Sequence, residues 1–332
     1  MLELRGVRHR YNGRVVLELD SFTVSPDAQL AIVGHNGSGK STLLRILALL
    51  ERPTEGEVLF DGRPVSAGRS AARRRVTLVE QRPVLFRGTV RDNVGFGLRA
   101  RGTGRAEVTR VVDEVAGWLS ITTLLGREGH ELSDGDVQRV AVARALAVAP
   151  DVLLLDEPAS SADRAAAQAL YRALAAARQR RRFAICLASH QLEDAYRWAD
   201  DIRSLAEGRL APVTPENLFR VDLPEAASGD LKHVAVGPIA IAVTTDKAGP
   251  AILAIPPTDI IVSIERTLSS ARNAFPGHVT RLARQRPGTV HVTADVGVEL
   301  VALVSEEAAR DLRLAPGSDV VFAFKATAVR VF

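Results

Sequence analysis

Gly34-His35-Asn36-Gly37-Ser38-Gly39-Lys40-Ser41-Thr42 is the stretch whose reading decides the fold. It follows an apolar run, Gln29 to Val33, that reads as a strand, and it opens a run of helical periodicity from Ser41 to Leu50. Gly, four residues, then Gly-Lys-Ser is the spacing that a polyphosphate requires. The glycines let the backbone curl so that successive N–H groups point inward at phosphate oxygens, and the helix start adds partial positive charge. Gly34 to Gly39 are thus placed to cradle phosphates, Lys40 to reach the β- and γ-phosphates, Ser41 to ligate Mg²⁺ and Thr42 to touch the α-phosphate.

The 332 residues hold roughly two domains. An apolar fraction of 46% and a charged fraction of 25% are those of an ordinary globular protein. The chain has four lysines, Lys40, Lys232, Lys247 and Lys325, against 39 arginines, so lysine persists where a compact ammonium serves better than a planar fork. The single cysteine, Cys186, lies in the apolar run Phe183 to Ala188 and reads as a small buried hydrophobe. Met1-Leu2-Glu3-Leu4-Arg5 carries charges where a cleavable leader needs an apolar segment. Nor does any run approach the roughly 18 apolar residues of a membrane span. The expectation is that other chains cross any membrane this protein serves.

The net charge of +4 and the pI of 9.6 raise nucleic acid as a partner, but the basic clusters argue against it. Arg73-Arg74-Arg75 precedes a strand, and Arg178 to Arg182 ends an Ala-rich helical run, where cations complement the helix C-terminus. Neither is interleaved with base-stacking aromatics.

Residues 1 to 30 read as short strands around a turn at Tyr11-Asn12-Gly13, where Tyr11 reads either as a turn or core residue or as an aromatic that stacks on adenine. Pro53 to Gly62 reads as a hairpin and Arg75 to Glu80 as a strand ending at Gln81, whose side-chain carbonyl can reach a metal or its water. Helical patterns follow over Arg91 to Leu98, Ala106 to Leu119 and Asp136 to Ala147. They read as a helical subdomain inserted into an α/β core. Asp151 to Pro158 is then a buried-strand pattern ending in two carboxylates: Asp156 suits the magnesium shell, and Glu157, pointing differently, suits polarisation of a water. A last strand, Phe183 to Ala188, leads to His190, placed to contact the γ-phosphate.

Leu132-Ser133-Asp134-Gly135-Asp136-Val137-Gln138-Arg139 resembles the signature motif, usually Leu-Ser-Gly-Gly-Gln, of ABC transporter ATPases. With Tyr11, the phosphate loop, Gln81, Asp156-Glu157, Ser160-Ser161-Ala162-Asp163 and His190, the motifs of that family stand in order over residues 1 to about 210. The resemblance implies a homodimer with ATP sandwiched between one copy's phosphate loop and the other's signature residues Ser133, Asp134, Gly135, Asp136 and Gln138. It further implies Glu157 and His190 as catalytic residues, Ser41, Gln81 and Asp156 as magnesium ligands, and Asp163 in a loop crossing the dimer. The sequence departs from the signature at Asp134 and Asp136, which set carboxylates where a phosphate is expected. Weakened closure with retained ATPase activity is the expectation.

Past Leu210, Pro212, Pro215 and Pro224 mark a linker, and Val-rich segments follow, including Ile239 to Thr244, Ala251 to Ile255, Thr289 to Asp295 and Asp319 to Phe324. Ser269-Ser270-Ala271-Arg272-Asn273 with Pro276-Gly277, and Phe324-Lys325-Ala326-Thr327, resemble the TOBE or Mop module that binds molybdate or tungstate. Ala254 to Ile260 is likewise similar to the ATPases of tungstate and molybdate importers. The resemblance implies an oxyanion site from Ser270, Arg272, Ser305 and Lys325, although Glu306 and Glu307 add negative charge beside Ser305.

The expected fold is α/β: a P-loop (RecA-like) ABC ATPase core over 1–210 with a helical subdomain at about 82–148, and a C-terminal small OB-like β-barrel. Within the latter, 211–267 holds the linker and first strands and 268–332 the TOBE/Mop-like part. The expected role is an ATP- and Mg²⁺-dependent importer subunit for tungstate or molybdate, with feedback by the bound oxyanion. It sits on the cytoplasmic face of the membrane with permease subunits, fed by an extracytoplasmic binding protein. An importer ATPase for sulfate, iron, polyamine or sugar, and an oxyanion sensor with weak ATPase, stay open as alternatives.

Overall fold

A computed structural model describes the chain except residues 66–68, 160–163, 191–194, 196–197, 211–216, 226–230, 287 and 332. The loop from Ser160 to Asp163 therefore lies outside the described residues. The chain divides into two compact units, Met1–Leu210 and Ala211–Phe332.

The first unit opens with β1 (Leu2–Tyr11) and β2 (Arg14–Val24), paired antiparallel across the turn at Asn12 and Gly13. β3 (Gln29–Val33) leads through the glycine loop into α1 (Lys40–Leu47). β4 (Glu55–Phe60) and β5 (Arg63–Pro64) complete a four-stranded sheet with order β2-β1-β4-β5. The segment read as a hairpin thus also pairs with β1. A short helix, α2 (Arg69–Arg73), precedes β6 (Val76–Val79).

The helical insertion follows as α3 (Val90–Ala100), α4 (Arg105–Trp118) and α5 (Asp134–Ala147). β7 (Val152–Asp156), α6 (Arg164–Arg180), β8 (Ala184–Ser189), β9 (Asp201–Ala206) and β10 (Arg209–Leu210) close the unit. A second sheet of order β10-β9-β3-β8-β7-β6 results, parallel except at β10.

Both faces of this sheet are covered, which is why its strands read as continuous apolar runs. On β3, Leu30 and Ile32 join a core with Leu43, Leu44, Ile46 and Leu47 of α1 and with Leu2, Leu4 and Phe22 of the antiparallel sheet. Ala31 and Val33 face the other way, into a core shared with Val94, Val112, Val140 and Leu174 of the helices. Because β3, β8, β7 and β6 are neighbours running in one direction, their C-terminal ends lie on a single rim of the sheet. Ligands of such sheets bind at that rim.

In the second unit, β11 (Asn217–Leu223), β12 (Leu231–Val236), β13 (Ile239–Thr244), β14 (Gly249–Ile255) and β15 (Ile261–Ser263) precede the long β16 (Asn273–Arg286). β17 (Thr289–Asp295), β18 (Glu299–Ser305), β19 (Asp319–Phe324) and β20 (Arg330–Val331) follow. The barrel expectation is borne out as a half-barrel: a curled sheet of order β15-β19-β16-β17-β18 packs with the smaller sheets around Ile241, Leu253, Val279, Val292 and Phe322. Register shifts between Val279 and Arg281 and between Arg284 and Arg286 mark bulges, which add twist.

Candidate functional site

The rim of the parallel sheet gathers the phosphate loop after β3, Gln81 after β6, Asp156 and Glu157 at the end of β7, and His190 after β8. Two glycines of the loop are fixed by space. A Cβ on Gly34 would stand 2.3 Å from the Leu205 carbonyl oxygen, and one on Gly39, whose φ is 104°, would stand 2.9 Å from that of Val16. Gly37 is free of neighbours but has φ 80°, so it serves the turn.

Lys40 is buried, and its Nζ donates to the carbonyl oxygens of Gly34 (2.8 Å) and His35 (3.2 Å). It also lies 3.5 Å from Glu157 Oε1. Glu157 Oε2 meets His190 Nδ1 at 2.6 Å and accepts from Gln81 Nε2 at 3.2 Å. One carboxylate thus joins groups from four strand ends. Glu157 itself has φ 46°, and its amide is tied to the Ala188 carbonyl at 2.9 Å, so the backbone turns sharply after Asp156 and the two side chains diverge.

Asp156 is buried with Oδ1 lacking a hydrogen-bond partner. Burial pushes its carboxyl above the ordinary range, against the Ser41 hydroxyl and the Lys40 charge. An orphaned buried carboxylate oxygen beside a serine hydroxyl, next to a glycine loop that has no room for a Cβ at Gly34 or Gly39, fits Mg²⁺ bound to a polyphosphate. The Ser38 hydroxyl is also buried without a partner, at the inner wall of the loop.

Tyr11 stands at the end of β1 with its hydroxyl hydrogen-bonded to Glu51 and its ring edge-on to His9, centroids 4.8 Å apart. Burial, then the Glu51 carboxylate, pushes its hydroxyl pKa up, while the Thr42 hydroxyl acts in the other direction. The base-stacking candidate therefore adjoins the last residue of the phosphate motif. Glu51 is a partner that no sequence signal pointed to.

Ser133 caps α5: its Oγ accepts from the Asp136 amide at 3.3 Å and donates to Asp136 Oδ2 at 2.7 Å. Asp136 Oδ1 in turn accepts from Arg139 Nη2 at 2.5 Å. Burial pushes the Asp136 carboxyl up, yet Ser133 and Arg139 together hold it below the usual range. Asp134 is exposed and has no ion-pair partner among the described residues. Gln138 is buried with Nε2 unpartnered, and Gly135 lies in the first turn. Arg139 was missed by sequence reading, because an arginine in a helix carries no signal until its partner is seen.

After Gln81 the chain presents Val84, Phe86 and Phe96 to solvent. The rings of Phe86 and Phe96 lie 4.4 Å apart, and the Arg144 guanidinium stands 5.0 Å over Phe86 while donating to the Val84 carbonyl at 3.0 Å. Asn93, fully buried on α3, accepts from the Phe86 amide at 2.7 Å and donates to the Phe86 and Thr89 carbonyls at 3.0 Å. Asn93 thus ties the backbone that carries Phe86 to the start of α3.

In the second unit, Asn273 pairs with Phe324 between β16 and β19. That register, continued by one residue, sets Arg272 across from Lys325, and both are exposed, as is Ser270. Asn273 bonds both the amide and the carbonyl of Ala242, at 2.7 and 2.9 Å, so it anchors this end of the sheet. Ser305 belongs to the opposite end: it pairs with Thr289 and caps the short helix Glu306–Asp311 by accepting from the Ala308 amide at 3.0 Å. Arg272 and Lys325 thus follow from the same strand ends, whereas Ser305 lies at the other end of the sheet.

An ABC transporter family model matches residues 17–160, and a TOBE domain model matches 269–331. The molybdate/tungstate import ATP-binding protein WtpC of Pyrococcus horikoshii is 32% identical over 100% of both chains. The molybdenum import ATP-binding protein ModC of Mycobacterium tuberculosis is 34% identical over 93% of this chain and 92% of its own. The sulfate/thiosulfate import ATP-binding protein CysA of Caulobacter vibrioides is 38% identical over 68% of each. Among solved structures, cbiO from Clostridium perfringens, part of the ABC transporter complex cbiONQ, superposes with TM-score 0.59 at 28% identity, covering 63% of this chain and 86% of that one.

Proposed function

The chain belongs to the ATP-binding import subunits of ABC transporters, which hydrolyse ATP coupled to transport, and from that premise we propose that its cargo is molybdate or tungstate. The full-length likeness to importers of those anions supports the cargo, and Arg272 and Lys325, exposed cations next to the paired ends of β16 and β19, suit an anion.

The observation that carries the residue roles is the meeting of Lys40, Gln81 and His190 on one carboxylate, Glu157. ATP enters the glycine cradle, and Lys40 exchanges the Gly34 and His35 carbonyls for phosphate oxygens. Ser41, Asp156 and Gln81 would hold Mg²⁺, which when bound would neutralise phosphate charge. Glu157 orients the attacking water and takes its proton, while His190 Nδ1 and Gln81 Nε2, both donating to Oε2, fix the carboxylate's direction. Tyr11 stacks on the base. In a head-to-tail homodimer, the signature helix α5 of each copy completes the other's site. The apolar patch of Val84, Phe86 and Phe96, beside Gln81, docks the permease at the inner face of the membrane, and a separate extracytoplasmic protein delivers the anion.

Purified chain should hydrolyse ATP only with Mg²⁺, and titration of the full chain with molybdate, tungstate and sulfate should show binding of the two heavier anions that Lys325→Ala abolishes. Loss of ATPase would sink the residue roles. Preference for sulfate, or no anion binding, would sink the cargo assignment and leave the second unit as a dimerising module. The distance of Ser305 from Lys325 favours the latter as the second reading.

A further inference from the structure

The two carboxylates that depart from the signature pattern are in different physical situations. Asp134 is exposed and acts only through its charge, which salt screens over about 8 Å at physiological strength. Asp136 is bonded to the very hydroxyl that the signature would offer to a phosphate. A serine hydroxyl has one proton, and an ionised carboxylate only accepts. With the proton directed at Asp136 Oδ2 at 2.7 Å and one lone pair accepting from the Asp136 amide, Ser133 has only its remaining lone pair to present to an incoming anion. The arrangement is braced from behind: Arg139 donates to Asp136 Oδ1 at 2.5 Å and its Nη1 reaches the Ser120 carbonyl at 3.4 Å, so the carboxylate cannot swing away without losing a charged partner. A neutral amide at this position would be a weaker acceptor and would let the hydroxyl turn.

We propose that Asp136, anchored by Arg139, is a positioning residue that withholds the Ser133 hydroxyl from the γ-phosphate of ATP held by a second copy of this chain, so that closure requires this hydrogen bond to break. The proposal rests on the ATP-bridged homodimer proposed above. It makes the Ser133–Asp136 contact, rather than negative charge as such, the element that sets how readily two copies close on ATP.

The test is a double-mutant cycle in the full chain carrying Glu157→Gln to block hydrolysis, read as ATP-driven dimerisation by sedimentation. Asp136→Ala should tighten the dimer by about tenfold, the scale of one hydrogen bond to a charged group. In a Ser133→Ala background the same change should have less than a twofold effect. In the catalytic background with Glu157 restored, Asp136→Ala should raise kcat and leave the affinity of the monomer for ATP unaltered. Asp136→Asn, which keeps the shape, should move dimerisation the same way by a smaller factor and serves if the alanine variant does not fold. Equal tightening with and without the Ser133 hydroxyl would show simple charge repulsion and overturn the proposal, as would no tightening in either. Absence of any ATP-driven dimer in the parent, with ATP still bound, would overturn the premise and would show before any Asp136 variant is made.

Discussion

Glu157 holds its left-handed backbone, φ 46°, only because its amide is tied to Ala188 and its carboxylate to three other groups. Glu157→Gln keeps the shape and removes the base, so turnover should fall about 100-fold or more while ATP affinity, read by equilibrium titration, is retained. Asp156 presents the opposite case. Burial raises its carboxyl pKa, so in the nucleotide-free protein the ionised group is a liability. Asp156→Asn should raise the Tm of that state by about 2–4 °C, the shift of roughly 1 kcal/mol in a chain of this size, and weaken Mg²⁺-dependent ATP binding. A lowered Tm would refute the burial argument. Gly39→Ala should cost about 1–2 kcal/mol in urea unfolding from its left-handed φ alone and abolish nucleotide binding through the contact with Val16. These residues were legible in the sequence because each sits at a fixed offset from a strand end. Arg139, Glu51 and Asn93 were not, since their meaning lies in partners that only the folded chain supplies.

Among the elements, α3 has the clearest start. Thr89 and Asp92 cap it reciprocally: the Asp92 amide donates to Thr89 Oγ1 at 3.1 Å and the Thr89 amide to Asp92 Oδ2 at 3.2 Å. Thr89→Ala should cost about 1 kcal/mol of unfolding free energy. The hydrogen bonds from Thr89 hold the Asp92 carboxyl below its ordinary range. Its contribution is therefore fully present above the unfolded value of about 3.9 and is lost as pH falls through the lower folded value. The penalty of Asp92→Asn, measured by urea unfolding, should hold from pH 7 to 5 and shrink only below about 4. Caps also explain where sequence reading misplaced boundaries. α5 begins at Asp134 rather than Asp136 because Ser133 caps it and a glycine in the first turn does not stop it. α1 ends at Leu47 because Leu49, at φ 59°, turns the chain left-handed. β16 was not legible at all: Pro276 and Gly277 interrupt its pattern, yet both fit a strand that is paired to β19 along one edge and bulged against β17 on the other.

On the scale of the molecule, the parallel sheet was readable because burial on both faces leaves unbroken apolar runs, whereas the curled sheet mixes facings through its bulges. Among the described residues Met1–Leu210 and Ala211–Phe332 each build their own apolar core. Calorimetry of the full chain should resolve two transitions, with Mg²⁺–ATP raising only the one that belongs to Met1–Leu210. A single transition raised as a whole would show the units to be energetically coupled. The seclusion of Lys40 has one more outcome, in covalent chemistry. It is the sole lysine of the first 210 residues, its ammonium enclosed by the Gly34 and His35 carbonyls. Acylation of Lys40 should therefore be slow, in a chain that otherwise writes its cations as unreactive guanidiniums.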